Sequence, residues 1–285
     1  IDPPIACENA TTCPPGYGCR DGACTVVRRT WLLRNDEGNG FVDITRRSGI
    51  VDTRSASEFY TGRPIDVPAF GDVDNDGDLD VYTGIDTSRP DQTGAARSEL
   101  MLNAGEAAFS FLPADLALRG GDDVYAVAGA SFVDVDLDGN LDLWITHHNF
   151  TDASGDIVFA QDALYLGDGD GGFEQATDRA GLTTTDWVDF DDLNEARAHS
   201  RAWSATACDL NNDRLPELLA ASYGRAPNHL WQAVGAPGSV AYENRSVESG
   251  YAYDDDRGWE DNQFARCFCR SNPDAEGCSG VEAPV

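Results

Sequence analysis

The sequence predicts an all-β protein assembled from a repeated four-stranded unit, and three observations lead there. An acidic loop of one design occurs three times. Short apolar runs of strand length flank each copy. Turn residues, with 29 glycines among 285 residues, separate those runs. Repetition at intervals of tens of residues marks a propeller, a solenoid or an array.

The loop is clearest from Phe70 to Gly84, FGDVDNDGDLDVYTG. Asp72, Asp74, Asp76, Asp78 and Asp80 alternate there, with Gly77 between them. Carboxylates packed this densely repel one another unless a cation sits among them. Calcium (Ca2+) suits them best, because it takes about six to eight oxygen ligands in a flexible shell and no Cys or His is present to favour zinc. The expected ligands are the side chains of Asp72, Asp74, Asp76 and Asp80 and the backbone carbonyl of Asp78, with Gly77 permitting the sharp turn. The alternative is a solvated acidic turn.

The second copy, Phe132 to Thr146, reads FVDVDLDGNLDLWIT. It offers Asp134, Asp136, Asp138 and Asp142, with Asn140 at the carbonyl position. The third, Ala207 to Ser222, offers Asp209, Asn211, Asp213 and Glu217, with Leu215 at the carbonyl position. There Arg214 replaces the glycine and Pro216 stiffens the turn. Side-chain charge falls from the first copy to the third, and metal affinity is expected to fall with it. The copies start 62 and then 75 residues apart.

Two further stretches share a pattern, Leu32 to Ile50 (LLRNDEGNGFVDITRRSGI) and Leu164 to Leu182 (LYLGDGDGGFEQATDRAGL). Together with the D-x-D-x-D-G-x-L-D loops they resemble FG-GAP/VCBS repeats. The nearer likeness is to secreted bacterial relatives of cartilage acidic protein, over about residues 30 to 250. The resemblance implies an integrin-alpha-type β-propeller with calcium in its loops. It implies no particular activity, since one fold hosts many functions.

In chain order, residues 1–28 form a small cysteine-rich module, 29–250 carry the blades, and 251–285 form a cysteine-containing tail or the start of a further blade. Thr30 to Arg34 and Gly40 to Thr45 read as two strands with no calcium loop before them, the outer half of a blade. The first full unit has strands Val67 to Asp72, Leu79 to Gly84, Glu99 to Leu102 and Ala108 to Leu112. The second runs Ala126 to Asp134, Leu141 to His147, Ala163 to Leu166 and Phe173 to Ala176. The third runs Ala202 to Asp209, Glu217 to Ser222, His229 to Gln232 and Val240 to Asn244. Four strands per unit is what a propeller blade needs, so the expectation is a partial β-propeller of about three full blades and a half. Inner strands buried on both faces should be almost continuously apolar, as SFVDVD and LWIT nearly are.

Connection lengths separate two faces. The acidic loops and the tight turns NDEGN, NAGEA, GDGDGG and AVGAPG fall on one side. The long insertions 46–66, 85–98, 113–125, 147–162 and 183–201 fall on the other. Variable loops on a rigid scaffold are where binding usually resides. A protein or glycan ligand is therefore expected on the insertion face, among Phe59, Tyr60, His147, His148, Phe150, Trp187, Phe190 and Tyr223. The bland alternative is that these rings pin their own loops.

Net charge is −30, from 50 acids and 20 bases. Such a surface disfavours nucleic acid and anionic membranes, and two calcium ions would offset only four of those charges. No apolar run is long enough to span a membrane. The chain opens at Ile1 and reads as a mature, exported polypeptide, secreted or held at a bacterial cell surface. Cys7, Cys13, Cys19 and Cys24 lie in a segment with too little apolar mass for a core, so disulfides are expected there rather than zinc. Three pairings are open; Cys7 with Cys19 and Cys13 with Cys24 is favoured. Cys208 is expected to tie the tail to the blades through Cys267 or Cys269.

Catalytic signatures are weak. His147 and His148 are adjacent on a strand and point to opposite sides, so they do not chelate one metal. His199 beside Ser200 has no nucleophile elbow around it. GDGDGG lacks the Lys-Ser/Thr of a phosphate loop. Three functions stand: a calcium-stabilised binding or adhesion module; a structural subunit whose ring a further chain or further blades complete; and a calcium-dependent enzyme acting on extracellular polysaccharide.

Overall fold

A computed structural model describes residues 6–8, 13, 17–20, 22–26, 30–54, 63–86, 97–113, 117–119, 126–151, 157–186, 190–223, 226–253, 266, 269–270, 273–274 and 278–279. The fold is all-β with almost no helix. A first hairpin joins β1 (Tyr17–Arg20) to β2 (Ala23–Val26), and a second joins β3 (Leu33–Asn35) to β4 (Phe41–Asp43). Three antiparallel four-stranded sheets follow, each a simple meander. The first holds β5 (Val67–Gly71), β6 (Asp80–Gly84), β7 (Glu99–Asn103) and β8 (Phe109–Phe111). The second holds β9 (Val127–Val133) and β10 (Asp142–His147). A small side hairpin follows, β11 (Phe150–Thr151) with β12 (Ile157–Val158). The second sheet then resumes with β13 (Ala163–Gly167) and β14 (Phe173–Gln175). The third holds β15 (Ala202–Cys208), β16 (Glu217–Ser222), β17 (His229–Ala233) and β18 (Tyr242–Asn244), preceded by the short helix α1 (Phe190–Asn194).

The twelve strands of these sheets lie within two residues of their expected positions. The side hairpin β11–β12 and helix α1 were not expected; they form inside long insertions, where no repeat guides the reading. Apolar clusters join the sheets in chain order. Ala69, Tyr82 and Leu100 of the first sheet pack on Leu143, Ile145 and Tyr165 of the second. Trp144 and Leu164, on the opposite face of the second, pack on Leu218, Ala220 and Trp231 of the third. Alternate side chains of β10 thus serve two interfaces, as the period of a strand dictates. Trp144 also donates its indole N–H to the Leu219 carbonyl at 3.1 Å. Among the described residues the sheets form an open row.

First strands stand side by side, β9 between β5 and β15. At Gly129 the approach is backbone to backbone: a Cβ there would lie 2.2 Å from the Ala205 nitrogen. The expectation of burial in inner strands is met by LWIT of β10 and not by SFVDVD of β9. β6 and β10, both second strands, are buried at every residue, whereas SFVDVD is mostly half-buried and β15 exposes alternate residues. Second strands have strand neighbours on both edges and, in the second sheet, a packed sheet on both faces.

Long insertions are pinned by charge at the first sheet. The buried Glu99 carboxylate takes two bonds from Arg54 and one from Arg119, each 3.0 Å. Arg63, also buried, donates to the Thr83 hydroxyl at 2.5 Å; burial lowers its guanidinium to about 10.

In the N-terminal segment Cys7 bonds Cys19 and Cys13 bonds Cys24, the favoured pairing. The expected tie from Cys208 is not made. Cys269 bonds Cys278, and Cys208 is an exposed free thiol. Cys208 ends β15 beside the third acidic loop. The tail leaves from the other end of the same sheet, where the Ala252 carbonyl accepts the Asn228 N–H at 3.1 Å. A seven-residue strand, roughly 20 Å long, separates the two.

Candidate metal centres

All three acidic loops are built from one set of backbone bonds. Asp72 accepts the N–H groups of Asp76 (3.1 Å) and Gly77 (3.0 Å). Asp134 accepts those of Asp138 (3.1 Å) and Gly139 (3.0 Å). Asp209 accepts those of Asp213 (3.1 Å) and Arg214 (2.9 Å). Asp76, Asp138 and Asp213 each accept the N–H two residues on, all at 2.8 Å. Gly77 and Gly139 share a φ of +94°, and Arg214 is forced to +81° at the same place. The third copy is therefore the same loop despite its weaker sequence.

The last acid of each loop is buried and locks the loop onto its sheet. Asp80 accepts the Val73 and Asn103 N–H groups, both at 2.8 Å. Asp142 accepts those of Val135 (2.7 Å) and Gly167 (2.9 Å), and Glu217 that of Leu210 (2.7 Å). Each carboxylate thereby joins the loop, and in the first two sheets the third strand, to the second strand.

Asp72, Asp74 and Asp80 bring carboxylate oxygens within 4.8 Å of one another, and so do Asp134, Asp136 and Asp142. Burial pushes Asp142 up to about 7 and raises Asp80, Asp74 and Asp136, with repulsion from neighbouring acids adding to it. A cation among them removes both penalties. Two all-oxygen triads with no nitrogen or sulfur donor fit a hard divalent ion.

Other expected ligands stand differently. Asp76 and Asp138 lie outside the triads, each turned to its own loop backbone. Asp78 and Asn140 occupy the carbonyl position, and Asn140 also donates to Asp138 at 3.0 Å. In the third loop Asp209, Asp213 and Glu217 form no triad of this kind. The Asn211 amide instead donates to Asp213 (2.9 Å) and Glu217 (3.3 Å), while Leu215 keeps the carbonyl position. Burial raises the Glu217 carboxyl as well.

The tight turns gather at this same end. Gly238 donates its N–H to the Asp136 carbonyl at 2.8 Å, and Gly169 lies against Asn140 and Asn75.

At the opposite end, Phe59, Tyr60 and Trp187 lie outside the described residues; Phe150 and Phe190 enter through their backbones, in β11 and α1. His147 is buried rather than presented: its Nδ1 meets the Gln161 carbonyl at 2.8 Å, and burial takes it down to about 4. His148 and Tyr223 join a cluster at the surface. His148 meets Trp203 edge-on at 5.1 Å between centroids, and Trp203 lies 5.4 Å from Tyr223. Arg201 donates to His148 at 3.1 Å and stands 5.5 Å over the Tyr223 ring. Trp203 and Tyr223 are each about half exposed, 55% and 52%. Sequence reasoning missed Arg201 and Trp203, because they open a strand that reads as buried.

No family model matches the sequence, and no curated protein matches it. Fold and site alone define the class: an all-β repeat protein with acidic metal-type loops at one end of its sheets. Among the described residues no helix is long and apolar enough to cross a membrane.

Proposed function

We propose that this chain is part of a calcium-stabilised β-propeller of the FG-GAP/VCBS kind, and that it serves outside the cell as a binding or adhesion module. The observation that carries the reading is the pair of oxygen triads, Asp72/Asp74/Asp80 and Asp134/Asp136/Asp142. Bound there, calcium would neutralise the crowded carboxylates and clip the first two strands of each sheet together. Extracellular calcium modules work at ~10⁻⁴ to 10⁻³ M, near ambient calcium, and so act mainly as staples. The row of sheets, joined through their first strands, is the arrangement expected of neighbouring blades. The disulfides suit an oxidising compartment. The partner, a protein or glycan, would meet the insertion end, where Arg201, Trp203 and Tyr223 offer an aromatic and cationic surface on an otherwise acidic chain.

Calorimetric titration with calcium tests this. Two or more ions should bind at sub-millimolar to millimolar affinity, and the double variant Asp74→Asn/Asp136→Asn should lose them. Absence of any calcium heat in the parent chain would refute the reading.

A further inference from the structure

The β3–β4 hairpin is the outer half of a unit whose inner half is not β3's partner among the described residues. Residues 32–50 match residues 164–182 without a gap, and the structures match bond for bond. The register Leu33↔Asp43, Arg34↔Val42, Asn35↔Phe41 repeats as Tyr165↔Gln175, Leu166↔Glu174, Gly167↔Phe173. The Leu32 N–H donates to the Thr45 hydroxyl at 2.8 Å, as Leu164 does to Thr177 at 3.0 Å. The Ser48 carbonyl accepts from Phe109 of the next sheet at 2.7 Å, as Ala180 accepts from Tyr242 at 2.8 Å. The hairpin β3–β4 therefore stands to the first sheet as β13–β14 stands to the third.

The environments differ on one side only. β13 has a strand partner, with Leu143, Trp144 and Ile145 of β10 facing Tyr165, Leu164 and Ala163. Among the described residues β3 is paired only with β4. Tyr165 is 8% exposed, whereas its counterpart Leu33 is 48% exposed. Phe173 is half-buried, whereas its counterpart Phe41 is 71% exposed. Phe70, the counterpart of the Phe132 that packs against the first sheet, is also half-exposed.

We infer that the β3 edge and the Leu33/Phe41/Phe70 surface form a seat for a two-stranded hairpin of the β9–β10 kind. The partner is defined by its chemistry. Its second strand is almost wholly apolar and pairs with β3 antiparallel, in the register of Leu143↔Tyr165. Its connecting loop carries alternating aspartates and brings a further metal triad to the end where the other loops lie. Strand addition of this sort draws affinity from main-chain bonds and specificity from alternate side chains. The inference rests on the propeller reading and adds the place at which a further unit joins.

An insertion variant tests it: the full chain with a second copy of residues 126–162 placed between residues 29 and 30. In the parent, amides 33 and 35, whose N–H groups point away from β4, should exchange quickly with solvent, while their counterparts 165 and 167 of β13, which face β10, exchange slowly. In the variant, protection of 33 and 35 should rise about ten-fold or more, and one more calcium ion should bind. Adding Leu33→Asp to the variant should return 33 and 35 to fast exchange while β6 and β10 stay protected. Fast exchange at 33 and 35 in the insertion variant overturns the seat, whatever the calcium count, and so does slow exchange there in the parent. Absence of calcium binding in both chains, with 33 and 35 protected in the variant, would instead remove the calcium reading and leave the seat.

Discussion

The Asn75 side-chain amide in the first acidic loop donates to the Asn140 side-chain oxygen in the second, 3.1 Å away. Two loops 65 residues apart in sequence thus touch directly. The bond is exposed, so its worth is modest. A double-mutant cycle of Asn75→Ala and Asn140→Ala, read by urea unfolding, should give a coupling of about 0.5–1 kcal/mol. Strict additivity would mean that the loops are held apart in solution.

Gly129 has no room for a side chain, because β9 and β15 meet backbone to backbone there. Gly129→Ala should push the second and third sheets apart and cost about 3 kcal/mol. Urea midpoints of the two proteins decide it; equal midpoints would contradict the first-strand packing.

Arg214 adopts the left-handed backbone that glycine holds in the other two loops. Arg214→Gly should relieve this strain and stabilise the chain by about 1 kcal/mol, less the extra freedom glycine has when unfolded. A lower melting temperature in the variant would show that the arginine side chain contributes more than its backbone costs.

Burial holds His147 and His229 down at about 4, while in the unfolded chain both titrate near ~6.5. As pH falls through this window, the unfolded chain takes up protons that the native chain refuses, so stability drops. Asp162 acts in the opposite sense: burial raises it to about 7, so its stabilising contribution, complete at low pH, is lost as pH rises through that value. For these three groups alone, the balance between pH 4 and 6.5 is about one net proton, or ~1.4 kcal/mol per pH unit in favour of higher pH. His229→Leu should flatten that slope. A slope unchanged by the substitution would place His229 in water.

The loops and strands were legible in the sequence because their signals are local. Alternating aspartates around Gly77 and Gly139 specify a turn and the convergence of its acids within a dozen residues. Strand boundaries follow from the same repeats. What escaped depends on distant neighbours. Trp203 opens an apolar strand, yet it is half exposed because no further sheet lies against β15 among the described residues. His147 reads as a surface histidine at a strand end but is roofed by the insertion that returns to Gln161. Cys208 could not be paired on paper, because strand direction puts it at the end of the third sheet opposite the tail. The third loop shows a different limit: its backbone copies the first two bond for bond, while Asn211 and Glu217 alter what its center offers a metal.

The clasp formed by the acidic loops is tested most directly by thermal unfolding of the whole chain in millimolar calcium and again in excess chelator. Two ions bound near ambient calcium should hold the melting temperature about 2–10 °C above that of the chelated protein, and Asp74→Asn/Asp136→Asn should melt at the chelated value in either buffer. Coincident melting curves with and without calcium would contradict the account.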